Sequence, residues 1–227
     1  MLITILTLFP EMFSGVLGQS ILKRAQTKGK VTIELVNIRD FATDRHKSVD
    51  DRPYGGGTGM IMRVDVINSA IKSVKSVKGC KGNKGKIILL DPQGKTYNQK
   101  KARELSKLDH LILVSGHYEG VDERVRRLAD EEISIGDYVL TGGEIPAMAI
   151  VDSVVRLVPG VLSNKSATEE ESFSQDLLEY PQYTRPVNYL GKKVPAVLVS
   201  GDHAKISRWR KEQAVRKTRK RRPDLGA

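Results

Sequence analysis

The sequence predicts an α/β fold: a largely parallel sheet covered by helices on both faces, followed by a small basic helical domain. Three observations carry this. Apolar runs rich in Ile, Leu and Val alternate with helical patterns from residue 2 to residue 157, and strands that lack polar alternation are those buried on both faces of a parallel sheet. Residues 163–185 (SNKSATEEESFSQDLLEYPQYTR) turn polar, acidic and Pro-punctuated, as linkers do. The stretch from His203 to Arg222 then carries ten Lys or Arg against one acid, Glu212.

Element by element, LITILTL (2–8) is the first strand, and Glu11–Lys28 is helical with a break near Gly15–Gly18. VTIELVNI (31–38) is the second strand. Arg63–Val77 is a helix, because Val64, Ile67, Ile71 and Val74 form a stripe at helical spacing. KIILLD (86–91), a helix over 97–108 and the strand HLILVS (110–115) follow. A helix over 121–129, the short strand EISI (132–135) and a helix over 144–157 complete the set. The division is an α/β body over 1–162, a flexible linker over 163–178 and a basic helical domain over 179–227.

Composition excludes several classes. Hydrophobic residues at 39% and charged residues at 29% describe a globular chain, and no apolar run approaches the ~20 residues a membrane helix needs. The start, MLITILTLFP, has no basic n-region or small-residue cleavage site and reads as a buried strand, not a signal peptide. Cys80 is the one cysteine, so no intrachain disulfide forms and a cytoplasmic location is expected. The net charge of +11 is concentrated near the C-terminus. Such a run is either a solvated tail or a surface for a polyanion, with Trp209 as a stacking or packing anchor.

The candidate chemistry lies in loops. In open α/β sheets, ligands bind beyond the carboxyl ends of strands. Three glycine-bearing segments leave such ends: DPQGKT (91–96), SGHYEG (115–120) and IGDYVLTGGEIP (135–146). Each alone is compatible with an ordinary tight turn; together they form a candidate cleft. Leu89 stands where a Walker A loop needs its first glycine, and no G-x-G-x-x-G follows a strand, so the common nucleotide fingerprints are absent. The four His (46, 110, 117, 203) are scattered and no metal-ligand spacing is present. A fourth segment, DRHKSVDDRPYGGGTGM (44–60), is long and glycine-rich, either a disordered lid or, as expected here, a loop that orders on substrate.

DDRPYGGGTGM, GHYEGVDERV, SIGDYVLTGGEIPAMAIVDSVVRLVPGV, ESFS…LLEYPQYTRP and HAKISRWR together resemble the bacterial tRNA (guanine-N(1))-methyltransferase family, in order from LFPEMF to RRPDL. The resemblance implies a SPOUT methyltransferase fold with a deep trefoil knot, a rare exception to unknotted chains. It implies a homodimer with active sites at the subunit interface. It also implies methyl transfer from S-adenosylmethionine to the guanine immediately 3′ of the tRNA anticodon, with a preceding guanine preferred.

Carried over position by position, the resemblance implies that the knot loops hold a bent cofactor. Its contacts would be Pro92, Gly116, Tyr118, Glu119, Ile135, Gly136, Tyr138, Leu140, Gly142, Gly143 and Pro146. Arg156 matches the cation that stabilises the guanine carbonyl oxygen and Glu171 the general base. By position alone, Arg156 equally suits a salt bridge to Glu144 or Asp152, and Glu169–Glu171 a solvated acidic patch. The pattern departs in places: Glu171 stands where Asp is usual, with Glu170 beside it, His117 where Arg is common, and Thr58 where Pro is common. The C-terminus looks short, which bears on the tRNA contact surface. The resemblance also implies magnesium dependence, with Glu119 near the ion, although no ligand cluster marks a metal site.

Overall fold

A computed structural model describes residues 1–75, 84–163, 168, 171–174 and 176–225; Cys80 and Glu170 lie outside them. The chain divides into two units, Met1–Ser163 and Asn164–Ala227.

In the first unit, β1 (Leu2–Thr7), β2 (Thr32–Asn37), β5 (Gly85–Thr96), β6 (His110–Ser115) and β7 (Glu131–Ser134) form a sheet in the order β2-β1-β6-β5-β7. Every pairing in it is parallel. The uninterrupted apolar runs follow from that arrangement. Ile3, Ile5, Ile88, Leu111 and Leu113 face a layer built from α1 (Ser14–Leu17), α2 (Ser20–Thr27), α4 (Gln99–Leu105) and α5 (Glu144–Val155). Their alternates Leu6, Ile87, Leu89, Ile112 and Val114 face α3 (Val64–Lys75). Each fully buried Ile or Leu contributes about 1.5–3 kcal/mol from removal of apolar surface from water, so neither layer is dispensable.

Local signals set the element ends. Asn98 caps α4 by accepting from the Lys101 N–H at 3.0 Å. The expected helix over 11–28 is interrupted: a 3-10 turn over Pro10–Phe13 precedes α1, and Gly18 ends α1 before α2 begins. The segment expected as a helix over 121–129 is instead a 3-10 helix over Glu123–Leu128, with Val125 its buried residue. Val121, Leu128 and Ala129 are only partly buried against the same core, a face too shallow to drive an α-helix, and the Asp122 carboxylate accepts from the Arg124 N–H at 2.9 Å, which favours the tighter turn.

DPQGKT is also not a free loop. Leu90 and Lys95 both align with Ile133 of β7, so Asp91–Gly94 arch out and the strand then resumes. At Gly94 a Cβ would lie 2.5 Å from the Ile133 backbone nitrogen, so the arch crosses β7 where only glycine fits. Within 44–62, Asp50–Asp51 (β3) pairs with Ile61–Met62 (β4) in an antiparallel hairpin.

The second unit is built around α6 (His203–Arg221), capped by Asp202 accepting from the Lys205 N–H at 3.0 Å. Leu178 donates its N–H to Thr218 Oγ1 at 2.8 Å. The Lys217 ammonium donates to the Glu179 carbonyl at 2.8 Å. Trp209 is half-buried with its ring 6.4 Å from that of Tyr183, so it packs within this unit. A two-stranded hairpin, β8 (Asn188–Tyr189) with β9 (Lys192–Lys193), is exposed throughout.

One charge cluster of the body is testable. Glu104 accepts from the ammonium groups of Lys101 and Lys86, each at 2.8 Å, and these hold its carboxyl at about 2, below its ordinary 4.5. A depressed carboxylate stabilises the fold above its unfolded value and loses that contribution as pH falls toward the folded one. The melting temperature of the wild type should therefore fall more steeply than that of Glu104→Gln between about pH 4.5 and pH 2. Because Glu104 is exposed, added salt should narrow the difference; parallel melting curves across that range would contradict this.

Candidate active site

The loops leaving β5, β6 and β7 meet beyond the carboxyl edge of the sheet and enclose a cavity of about 300 Å³. All eleven positions named from the resemblance line it. The β5 arch supplies Pro92, and the loop after β6 supplies Gly116, Tyr118 and Glu119. The segment after β7 supplies Ile135, Gly136, Tyr138, Leu140, Gly142 and Gly143, and the first turn of α5 adds Pro146.

Backbone contacts hold these loops together. Gly143 donates its N–H to the Gly116 carbonyl at 2.8 Å, and His117 and Gly142 form an isolated antiparallel bridge. A Cβ at Gly143 would lie 2.7 Å from Ser115 Cα, a backbone collision that no rotamer change relieves. Tyr118 has φ +60 without being glycine; strained residues of this kind cluster at ligand sites.

The 44–62 segment is stitched to the same place. Glu119 donates its N–H to the Met60 carbonyl at 3.1 Å, and Met62 its N–H to the Gly120 carbonyl at 3.0 Å. Asp122 donates back to the Met62 carbonyl at 3.0 Å. These pairings span about sixty residues of sequence, and no local signal announces them.

Beneath the β5 arch, Arg126 donates to Asp91 at 3.1 Å and also bonds Glu132. Burial opposes its charge, yet Asp91, Glu123 and Glu132 raise its pKa above the ordinary arginine value. The ion pair ties the carboxylate side of the arch to the 3-10 helix. Glu144, 1% exposed, accepts from the Thr7 hydroxyl at 2.8 Å and faces His117 Nδ1 at 3.6 Å. Sequence reasoning put neither Glu144 nor His117 in the site, although His117 lines the cavity. The signal was its place inside SGHYEG.

Arg156 forms the C-cap of α5. Glu144 opens the same twelve-residue helix, about 18 Å away at 1.5 Å per residue, so the Arg156–Glu144 bridge allowed by sequence does not form. Glu171 lies in the second unit, where its carbonyl accepts from the Ser174 N–H at 3.1 Å. Among the described residues, no group of three or more His, Cys, Asp or Glu is gathered to hold a metal. No helix among the described residues is long and apolar enough to cross a membrane.

An all-parallel α/β sheet whose strand-end loops close over one cavity, followed by a basic helical unit, is the organisation of a SPOUT-class methyltransferase. The profile of the tRNA (Guanine-1)-methyltransferase TrmD family matches residues 1–227. The chain is 60% identical over 226 residues to the tRNA (guanine-N(1)-)-methyltransferase of Carboxydothermus hydrogenoformans, covering 99% of this chain and 87% of the relative. It is 58% identical over 226 residues to the enzyme of that name from Geobacillus kaustophilus, covering 99% and 91%. The chain belongs to the tRNA (guanine-1)-methyltransferase family.

The glycine contacts give a prediction. Gly143→Ala should cost roughly 2 kcal/mol or more of stability, since overpacking against backbone cannot relax, and it should abolish turnover. Denaturant melts combined with a methyl-transfer assay check this. A variant of wild-type stability and activity would show that the loops do not need this approach.

Proposed function

We propose that this chain transfers a methyl group from S-adenosylmethionine to N1 of the guanine immediately 3′ of the anticodon of tRNA. The observation that carries the reading is the single cavity lined by all eleven implied cofactor positions, in a chain that belongs to the family over its whole length. Its size suits a ligand of this class. Glycine-bearing loops would bring main-chain amides and carbonyls to the adenine edge, with Ile135, Leu140 and Pro146 as apolar walls. S-adenosylmethionine supplies an electrophilic methyl group on a sulfonium.

The chain's own residues then have two tasks. Guanine N1 carries a proton and is a poor nucleophile until it leaves, so a base must take it; Glu171 is assigned that role. Negative charge spreads onto the guanine carbonyl oxygen as the proton departs, and the Arg156 guanidinium is assigned to stabilise it. The carboxylate departs from the usual Asp by one methylene, which lengthens its reach without changing its chemistry. Glu170, the other candidate base, stays open as an alternative.

The same reading extends to the assembly. The strand order β2-β1-β6-β5-β7 and the His117–Gly142 bridge are compatible with a trefoil knot through the cofactor loops. A homodimer with interfacial sites, in the cytoplasm, completes the proposal. Residues 163–178 are taken as the interdomain linker, and the basic unit, 179–227, as the surface that engages tRNA phosphates. No step is assigned to magnesium.

The test uses labelled S-adenosylmethionine and tRNA transcripts with guanine or adenine 3′ of the anticodon. Label should enter only the guanine transcript. Incorporation into both would indicate ribose chemistry, and incorporation into neither, with tRNA still bound, a binding protein. Arg156→Ala and Glu171→Ala should each lower turnover by at least about a hundredfold while cofactor affinity survives; full activity in both variants would refute the roles.

A further inference from the structure

We infer that Glu144 is a positioning residue for the cofactor loop, acting through His117; this rests on the cofactor reading of the cavity given above. Glutamate is almost never fully buried without partners, and at 1% exposure Glu144 is as hidden as the core. Its surroundings are specific. The Thr7 hydroxyl at the end of β1 donates to Oε1 at 2.8 Å, and Thr7 Oγ1 in turn accepts from the Phe9 N–H at 3.0 Å. That second bond fixes the hydroxyl, so its one proton goes to the carboxylate. Glu144 also sits in the first turn of α5, where the helix favours negative charge.

The other oxygen, Oε2, faces His117 Nδ1 at 3.6 Å. That nitrogen is buried and has no hydrogen-bond partner among the described residues, so the nearby carboxyl is the polar group it faces. Phe9 lies against the ring at 4.7 Å between centroids, and Tyr118 meets it edge-on at 5.1 Å. His117 and Tyr118 both line the cavity. The orientation of one imidazole thus links a carboxylate behind the wall to the aromatic face in front of it. The separation exceeds hydrogen-bond length, which leaves room for the contact to tighten when the loop closes on ligand, as functional hydrogen bonds often do.

Gly142 makes the meeting possible. A Cβ there would lie 2.4 Å from both Glu144 Oε2 and His117 Nδ1. A purely structural filler would be cheaper as a neutral or apolar side chain, because desolvating a carboxylate costs several kcal/mol. A buried acid aimed at an imidazole Nδ1 that has no partner among the described residues points to a role in holding the loop.

The test compares wild type, Glu144→Gln, His117→Ala and the double variant. S-adenosylmethionine is titrated calorimetrically into each full chain, with steady-state kinetics and melting curves alongside. Glu144→Gln keeps shape and the Thr7 contact, so it should fold and melt near wild type. Its cofactor Kd and KM should rise by about tenfold, the worth of one charge-assisted hydrogen bond, with kcat at saturation changed far less. If Glu144 acts through His117, the double variant binds no more weakly than His117→Ala. Wild-type affinity in Glu144→Gln, or additive losses in the double variant, would overturn the inference. Failure of the wild type itself to bind would instead overturn the cofactor reading.

Discussion

How closely three strand-end loops approach one another decides what this molecule is able to hold. Gly143 rests on the Ser115–Gly116 backbone, donating to the Gly116 carbonyl at 2.8 Å, and a single added carbon would meet Ser115 Cα at 2.7 Å. With that approach in place, Gly116, Gly136, Gly142 and Gly143 expose main chain to the cavity between the side chains of Tyr118, Ile135, Tyr138 and Leu140. Main-chain donors and acceptors are fixed by the sheet behind them and need no rotamer to be frozen when a ligand arrives. The sheet matters to function chiefly because it delivers the β5 arch and the carboxyl ends of β6 and β7 side by side.

Much of this is legible in the sequence. Parallel strands buried on both faces leave continuous apolar runs, so KIILL and HLILV marked themselves, and the glycine-bearing segments after them marked the cleft. What was not legible depends on partners distant in sequence. The Asp91–Gly94 arch reads as a loop because its return to β7 is a pairing with Ile133, not a local preference. The helical pattern over 121–129 gave way to a 3-10 helix because only Val125 is fully buried while Val121 and Leu128 are partly so, and periodicity counts apolar residues without knowing how deeply each finds a core. Glu144 is the sharpest case. A glutamate directly after two glycines, opening a helix, has every local mark of an exposed first-turn acid; only the fold brings Thr7 and His117 to it.

The two units use charge in different ways. In the body, acidic and basic side chains neutralise one another in tight sets, such as Arg126 with Asp91, Glu123 and Glu132. Along α6 the balance is abandoned: Arg208, Lys211, Arg216, Arg219 and Lys220 line one open groove with a single acid, Glu212. Like charges at helical spacing repel, so α6 must be held by other means. Thr218 bonded to the Leu178 N–H, Trp209 against Tyr183 and Arg210 lying 4.8 Å over the Tyr180 ring supply them. The unit thus spends packing to keep an uncompensated cationic helix folded, an arrangement that makes physical sense when a polyanion completes it.

The cavity wall holds two kinds of residue, glycines that shape its path and side chains that face into it. When recognition rests on main-chain geometry, an altered side chain changes affinity or reach by one interaction, whereas an altered glycine changes the path of the wall itself. His117 and Glu144 show both: the ring stands in the wall with the buried acid 3.6 Å behind it, they meet across Gly142, where a Cβ would strike both, and the acid is the member of the pair that the fold holds in place by two elements, β1 and α5.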